Sequence, residues 1–160
     1  MAAESVPALP CACANLRRAA RAVTRGYEGA LKGTGLTPTQ HTLLQALDLL
    51  GLSPQGALGE LLAIDSTTLT RTLRPLERAG WVRAGSGADR REVRWALTPR
   101  GRRRLERARP AWERAQARLR TRLGAEVWAR LAADLAAVAG AAGGAGGRRE
   151  DNGPGSTPVA

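Results

Sequence analysis

The sequence predicts a mainly α-helical fold carrying a small β-wing, and three observations predict it. Apolar residues recur every three or four positions in several separate stretches, the spacing of one buried helix face. A single stretch, Glu92 to Leu97, alternates with a period of two. Thr37-Pro38, Ser53-Pro54 and Thr98-Pro99 each place a hydroxyl before a proline, a pairing that suits an N-cap followed by a first helical turn.

In chain order, residues 1–10 are small and uncapped and read as a flexible N-terminus. From about Pro10 to Lys32, Leu16, Ala19 or Ala20, Val23, Tyr27 and Ala30 or Leu31 form the apolar face of a long helix, which Gly33 and Gly35 end. Thr37 opens the next helix, with Gln40 completing a capping box. Leu43, Leu44, Leu47 and Leu50 are its expected buried face, and Gly51 stops it. After Ser53-Pro54 a short helix is expected to about Ala63, with Leu58, Leu61 and Leu62 inward. Asp65 then caps a helix from Ser66, held to the core by Leu69, Leu73 and Leu76. Two short helices across so tight a turn form a helix-turn-helix.

Gly80 sits where a C-terminal cap would use it. Trp81 to Ala84 and Glu92 to Leu97 are the two strands of a wing, the second with Val93, Trp95 and Leu97 on one face; residues 85–91 make the loop. A long helix follows Thr98-Pro99, and Pro110 predicts a kink near its middle. Gly124 divides it from a last helix whose Val127, Leu131, Leu135 and Val138 share a face. Residues 140–160 are low in complexity and are expected to be disordered.

One hundred and sixty residues suit one domain. With no Phe and only four Trp, the core must be built from Leu, Ala and Val, and such a chain often needs a partner to bury enough surface. The net charge of +11 points to a polyanionic partner, nucleic acid before a membrane surface. Arginine over lysine can reflect a GC-rich coding sequence, but basic over acidic cannot. Thirteen arginines stand between Arg71 and Arg109 against four acidic residues. No stretch reaches the roughly 20 apolar residues of a spanning helix, and the N-terminus lacks a secretory pattern. Cys11 and Cys13 lie too close to staple a fold, so a reducing cytoplasm is the expected home. No nucleophilic triad, metal cluster, phosphate loop or carboxylate pair stands out, so neither an enzyme nor a cofactor is expected.

The order helix, helix, helix, recognition helix, wing, long helix, terminal helix resembles the MarR family of bacterial regulators. TLTRTLRPLERAGWVRA resembles that family's recognition helix and its exit, and Asp89-Arg90-Arg91 followed by Leu97-Thr98 and Gly101 resembles its wing signature. The resemblance covers about residues 11–139. It implies a winged helix over about residues 37–98, flanked by dimerisation helices over about 11–33 and 99–139. It further implies a homodimer that sets two recognition helices into successive major grooves of a pseudo-palindromic double-stranded DNA operator, most often as a repressor. A nonspecific architectural DNA binder is the alternative.

On that resemblance Ser66, Thr67 and Thr68 would meet phosphate or base edges at the helix start. Arg71 would read a guanine, and Thr70 and Arg74 would support it. Arg91 would enter the minor groove, braced by Asp89, with Arg90 on phosphate. The alternative for each arginine is a solvated surface side chain, weaker for Arg91 and Arg71 than for Arg90. One departure is Arg74-Pro75, where family members often carry an acidic residue and then arginine. Pro75 removes the bond to the Arg71 carbonyl, at about 3 kcal/mol against alanine, so a bend or a shifted Arg74 is expected.

Cys13 precedes Tyr27 by fourteen residues, a spacing similar to that of the family's organic-hydroperoxide-sensing branch. Along one helix that is about 21 Å, so the pair could meet only across a dimer. Arg17 stands where that branch has a second tyrosine. Cys11 and Cys13 therefore read as candidate sensors or as small residues packing an interface. As neighbours two apart on a helix they diverge by about 200°, which argues against chelation of a metal. His41, the only histidine, fits packing or, with Tyr27 and Trp112, a ligand pocket of the kind the family places between these helices.

Overall fold

The computed structural model describes residues 7–86 and 92–143. Its helices are α1 (Ala12–Leu31), α2 (Pro38–Leu50), α3 (Gln55–Leu62), α4 (Ser66–Arg78), α5 (Pro99–Leu123) and α6 (Ala125–Gly143). Its strands are β1 (Ser53–Pro54), β2 (Val82–Ser86) and β3 (Val93–Leu97). Two compact units divide after Arg118, so α5 begins in the first and ends in the second.

The capping signals act as the side chains dictate. Thr37 Oγ1 accepts from the Gln40 amide at 3.2 Å while Gln40 Oε1 accepts from the Thr37 amide at 3.0 Å, a reciprocal capping box. Asp65 Oδ1 accepts from the Thr68 amide at 2.8 Å. Thr98 Oγ1 accepts from the Gly101 amide at 3.0 Å and donates to the Gly80 carbonyl at 2.7 Å, tying the start of α5 to the end of α4. At that end Trp81 N–H bonds the Leu76 carbonyl and Gly80 N–H the Glu77 carbonyl, with Gly80 at φ 70°. This Schellman motif needs the left-handed residue that glycine supplies.

Ser53-Pro54 behaves differently from its look-alikes. It forms β1, which pairs antiparallel with β3 (Ser53 opposite Trp95), and α3 starts one residue later without a side-chain cap. The sheet order is β1-β3-β2, with Val82 opposite Leu97 and Ser86 opposite Val93. Because β3 is central, its burial does not simply alternate: Trp95 and Ala96 are both buried and Val93 is 46% exposed. The expected inward set needs two further corrections, since Leu50 and Leu61 are 39% and 50% exposed. Ala46 and His41 fill the α2 face instead.

The core is leucine-built, as composition requires. Leu31, Leu43, Leu44, Leu47, Leu58, Leu69, Leu73, Leu76 and Val82 are fully buried, each stabilising by about 1.5–3 kcal/mol. Leu105, Ala108 and Ala111 of α5 close it from one side, and Trp95 from the sheet. α4 runs through Pro75 to Arg78, with Leu73 and Leu76 on either side at 0% exposure. Their burial is large enough to offset the intrinsic proline cost of about 3 kcal/mol. α5 likewise contains Pro110 within its span. α6 continues to Gly143, taking in the first four residues of the stretch expected to be disordered.

Candidate nucleic-acid interface

α4 has two faces. Leu69, Leu73 and Leu76 are buried, while Thr67, Arg71, Arg74 and Arg78 are exposed. The exposed set is spaced four, three, four and forms one stripe; each of its first three members precedes a buried leucine by two positions, about 200° round the helix. The leucines thus fix a stripe of one hydroxyl and three guanidinium groups toward solvent. At its start, hydrogen bonds from the Thr68 hydroxyl and then its amide hold the Asp65 carboxyl below the usual carboxylate range.

The turn into α4 is tight. Ala63 takes φ 50° and Ile64 N–H bonds the Gly59 carbonyl at 2.9 Å. A Cβ on Gly59 would come within 2.9 Å of the Ile64 carbonyl oxygen, so close approach of α3 to the turn requires glycine there.

Not every candidate hydroxyl faces outward freely. Thr70 is half-buried; its Oγ1 donates to the Ser66 carbonyl at 2.8 Å and accepts from Gln55 Nε2 at 2.9 Å. Thr68 is half-buried, and Thr72 Oγ1 donates to its carbonyl at 2.8 Å. Ser66 is exposed and accepts from Gln55 Nε2 at 3.0 Å. Gln55, which sequence reading overlooked, also accepts from Trp95 Nε1 at 3.0 Å. No local pattern marks Gln55, since its partners lie 11, 15 and 40 residues away.

On the wing, Arg83 is exposed and Arg94 pairs with Glu92 at 2.8 Å. Asp89, Arg90 and Arg91 lie outside the described residues. The Arg102–Arg104 cluster splits by direction. Arg102 pairs with Asp48, whereas Arg104 turns inward, its guanidinium 5.1 Å over the Trp81 ring and against Gly35. A Cβ at Gly35, which sits at φ 68°, would meet the Arg104 guanidinium at 2.0 Å. Arg104 is therefore a strut between the turn after α1 and the end of α4.

Behind this surface, His41 stacks on Trp112 with ring centroids 5.7 Å apart and planes at 24°. Burial lowers the His41 pKa, opposed by a hydrogen bond with Gln45. A cavity of about 400 Å³ borders His41, Gln45, Asp48, Arg109 and Trp112. A second, of about 240 Å³, lies between Tyr27, Leu31, Pro38, His41 and Trp112. The Tyr27 hydroxyl donates to Gln116 Oε1 at 2.5 Å, and burial raises its pKa. Tyr27, His41 and Trp112 are therefore brought together. Cys13 and Tyr27 are not: both lie on α1, fourteen residues apart on a helix of twenty. Cys11 occupies the N-cap position of α1 without a capping bond from its side chain, and both thiols are exposed and free. Asn15 binds the chain entry there, with Nδ2 donating to the Leu9 and Cys11 carbonyls at 2.7 and 3.1 Å. Among the described residues no group of three or more His, Cys, Asp or Glu could hold a metal.

A capped recognition-type helix, a tight turn and a three-stranded wing define a winged helix-turn-helix protein. Comparisons with known proteins agree. Residues 34–92 match the model of the MarR family. The chain is 38% identical to the transcriptional regulator MosR of M. tuberculosis, solved in complex with DNA, with 85% of this chain and 98% of that one covered and a TM-score of 0.78. It is 28% identical to the transcriptional repressor CouR bound to a 23-mer DNA duplex, covering 84% of this chain and 99% of that one at a TM-score of 0.73. It is also 30% identical over 91 residues to YwoH of Bacillus subtilis (strain 168), an uncharacterised HTH-type transcriptional regulator. That match spans 57% of this chain and 66% of YwoH. The chain belongs to the MarR family.

Proposed function

We propose that this chain is a sequence-specific DNA-binding transcriptional regulator that acts as a homodimeric repressor. The observation that carries the reading is the Thr67–Arg71–Arg74–Arg78 stripe, fixed outward by the buried leucines of α4 beside a basic wing. Guanidinium forks on a helix of this width suit the acceptor edge of guanine in a major groove and the flanking phosphates. DNA-bound relatives at 38% and 28% identity support the same role. Ser66 and Thr67 serve at the helix start. Thr68 and Thr70 act from within, because their side chains are partly enclosed. Asp89, Arg90 and Arg91 retain the wing role that family likeness gives them.

Dimerisation is supported by apolar side chains left exposed on α1 and α6. Leu16 and Val23 on the first are 37% and 39% exposed, and Val127, Leu135 and Val138 on the second are 43–47% exposed. Release from DNA would follow a small ligand seated beside His41, Trp112 and Tyr27, or oxidation of the exposed Cys13 or Cys11. The cytoplasm is the proposed location, and no described helix is long and apolar enough to cross a membrane. In vitro selection from random duplexes tests the reading: it should enrich a pseudo-palindrome with half-sites about one helical turn apart. Recovery of unrelated sequences would favour a nonspecific architectural binder instead.

A further inference from the structure

Gln55 opens α3 directly after β1, and its amide joins three elements. An indole N–H can only donate, so Trp95 fixes the amide oxygen toward the wing strand and the NH2 toward α4. Both amide hydrogens are then spent, one on Ser66 Oγ and one on Thr70 Oγ1. Thr70 spends its own hydroxyl proton on the Ser66 carbonyl. Ser66 does not: its Oγ accepts from Gln55, and among the described residues its hydroxyl proton has no acceptor. Ser66 is exposed at the first turn of α4, where backbone N–H groups already favour an anion.

We infer that Gln55 is a positioning residue that turns the Ser66 hydroxyl outward as a donor to a DNA phosphate and holds it in register with the wing through Trp95. The inference rests on the proposed function and adds its internal linkage. The chain of bonds runs one way, from the Trp95 N–H to the Gln55 oxygen and from the Gln55 N–H to Ser66 Oγ. Each link polarises the next and strengthens the final donor. It also couples the recognition helix to β3, so neither moves without straining the amide between them.

The test uses the full-length protein, a duplex obtained by in vitro selection, and fluorescence anisotropy at one salt concentration. Gln55→Met keeps the length of the side chain and removes all three bonds. Ser66→Ala removes the donor, and Trp95→Phe keeps a buried ring but removes the N–H. Gln55→Met and Ser66→Ala should each weaken binding about tenfold, and the double variant should bind no more weakly than either alone. Trp95→Phe should weaken binding in the same direction. Thr67→Ala, whose exposed hydroxyl Gln55 does not touch, should add its full effect to that of Gln55→Met. Melting temperatures of each variant separate loss of fold from loss of positioning, and Ser66→Ala and Trp95→Phe carry the test if Gln55→Met melts early. Unchanged affinity in these variants, or effects of Gln55→Met and Ser66→Ala that multiply, would overturn the inference. A wild-type protein without preference for the selected duplex would overturn the proposed function along with it.

Discussion

At the scale of single residues, position on α4 separates side chains left to solvent, and proposed to reach DNA, from side chains that build the helix presenting them. Arg71 is exposed and Leu69, two positions before it, is fully buried. Replacing Arg71 with alanine should cost about 1–3 kcal/mol of binding to a selected duplex and relax preference at one base position, with melting unchanged. A competition series over single-base variants of the duplex reads both effects. Arg104 looks the same in sequence and is not. Its stacking on Trp81 and its fit against Gly35 make it structural, a distinction that charge counts could not draw. His41 offers a pH test. Burial lowers its folded pKa, so the unfolded chain, with a histidine pKa of about 6.5, takes up the proton first. Its contribution to stability is therefore present above about pH 6.5 and is lost as pH falls from there toward the lower folded value. His41→Phe, which keeps a ring on Trp112, should flatten that part of the melting-temperature profile.

At the scale of elements, what could be read from the chain depended on how far each cause lies along it. Thr37, Asp65, Gly80 and Thr98 act on residues within a turn or two of themselves, and their roles were legible. Ser53-Pro54 carries the same local signal as Thr37-Pro38, yet it becomes a strand because β3 lies alongside, some 40 residues on. Leu50 and Leu61 fit an apolar period but fall outside the core that α4 and α5 define. The Gln55 amide was invisible for the same reason. Gly101 belongs to the wing signature and now has a physical cause. A Cβ there would meet the Trp81 carbonyl oxygen at 2.0 Å and its carbon at 2.8 Å, backbone that cannot turn aside. Gly101→Ala should destabilise by about 1–3 kcal/mol or more in urea unfolding, by forcing α5 away from the end of α4.

For the whole molecule, an aromatic-poor composition suits a core completed by a partner. In the first unit eight leucines and Val82 are fully buried, while Val127, Leu135 and Val138 of α6 are exposed. An amphipathic helix is stabilised mainly by burying its apolar face, and a second copy of the chain supplies the cover proposed here. Leu135→Glu combined with Val138→Glu should shift the mass measured by analytical ultracentrifugation from dimer toward monomer. Binding to a full pseudo-palindrome should then fall far more than binding to a half-site, because two linked contacts become one.

Sequence-specific recognition of DNA by α4 and the wing has a direct signature in affinity. The ratio of wild-type affinities for a selected duplex and for a scrambled duplex of equal length and composition, at one salt concentration, tests it most directly. Specific recognition predicts a ratio of at least about a thousand. A ratio near one, with both affinities falling equally steeply as salt rises, would show binding by charge alone and contradict the account.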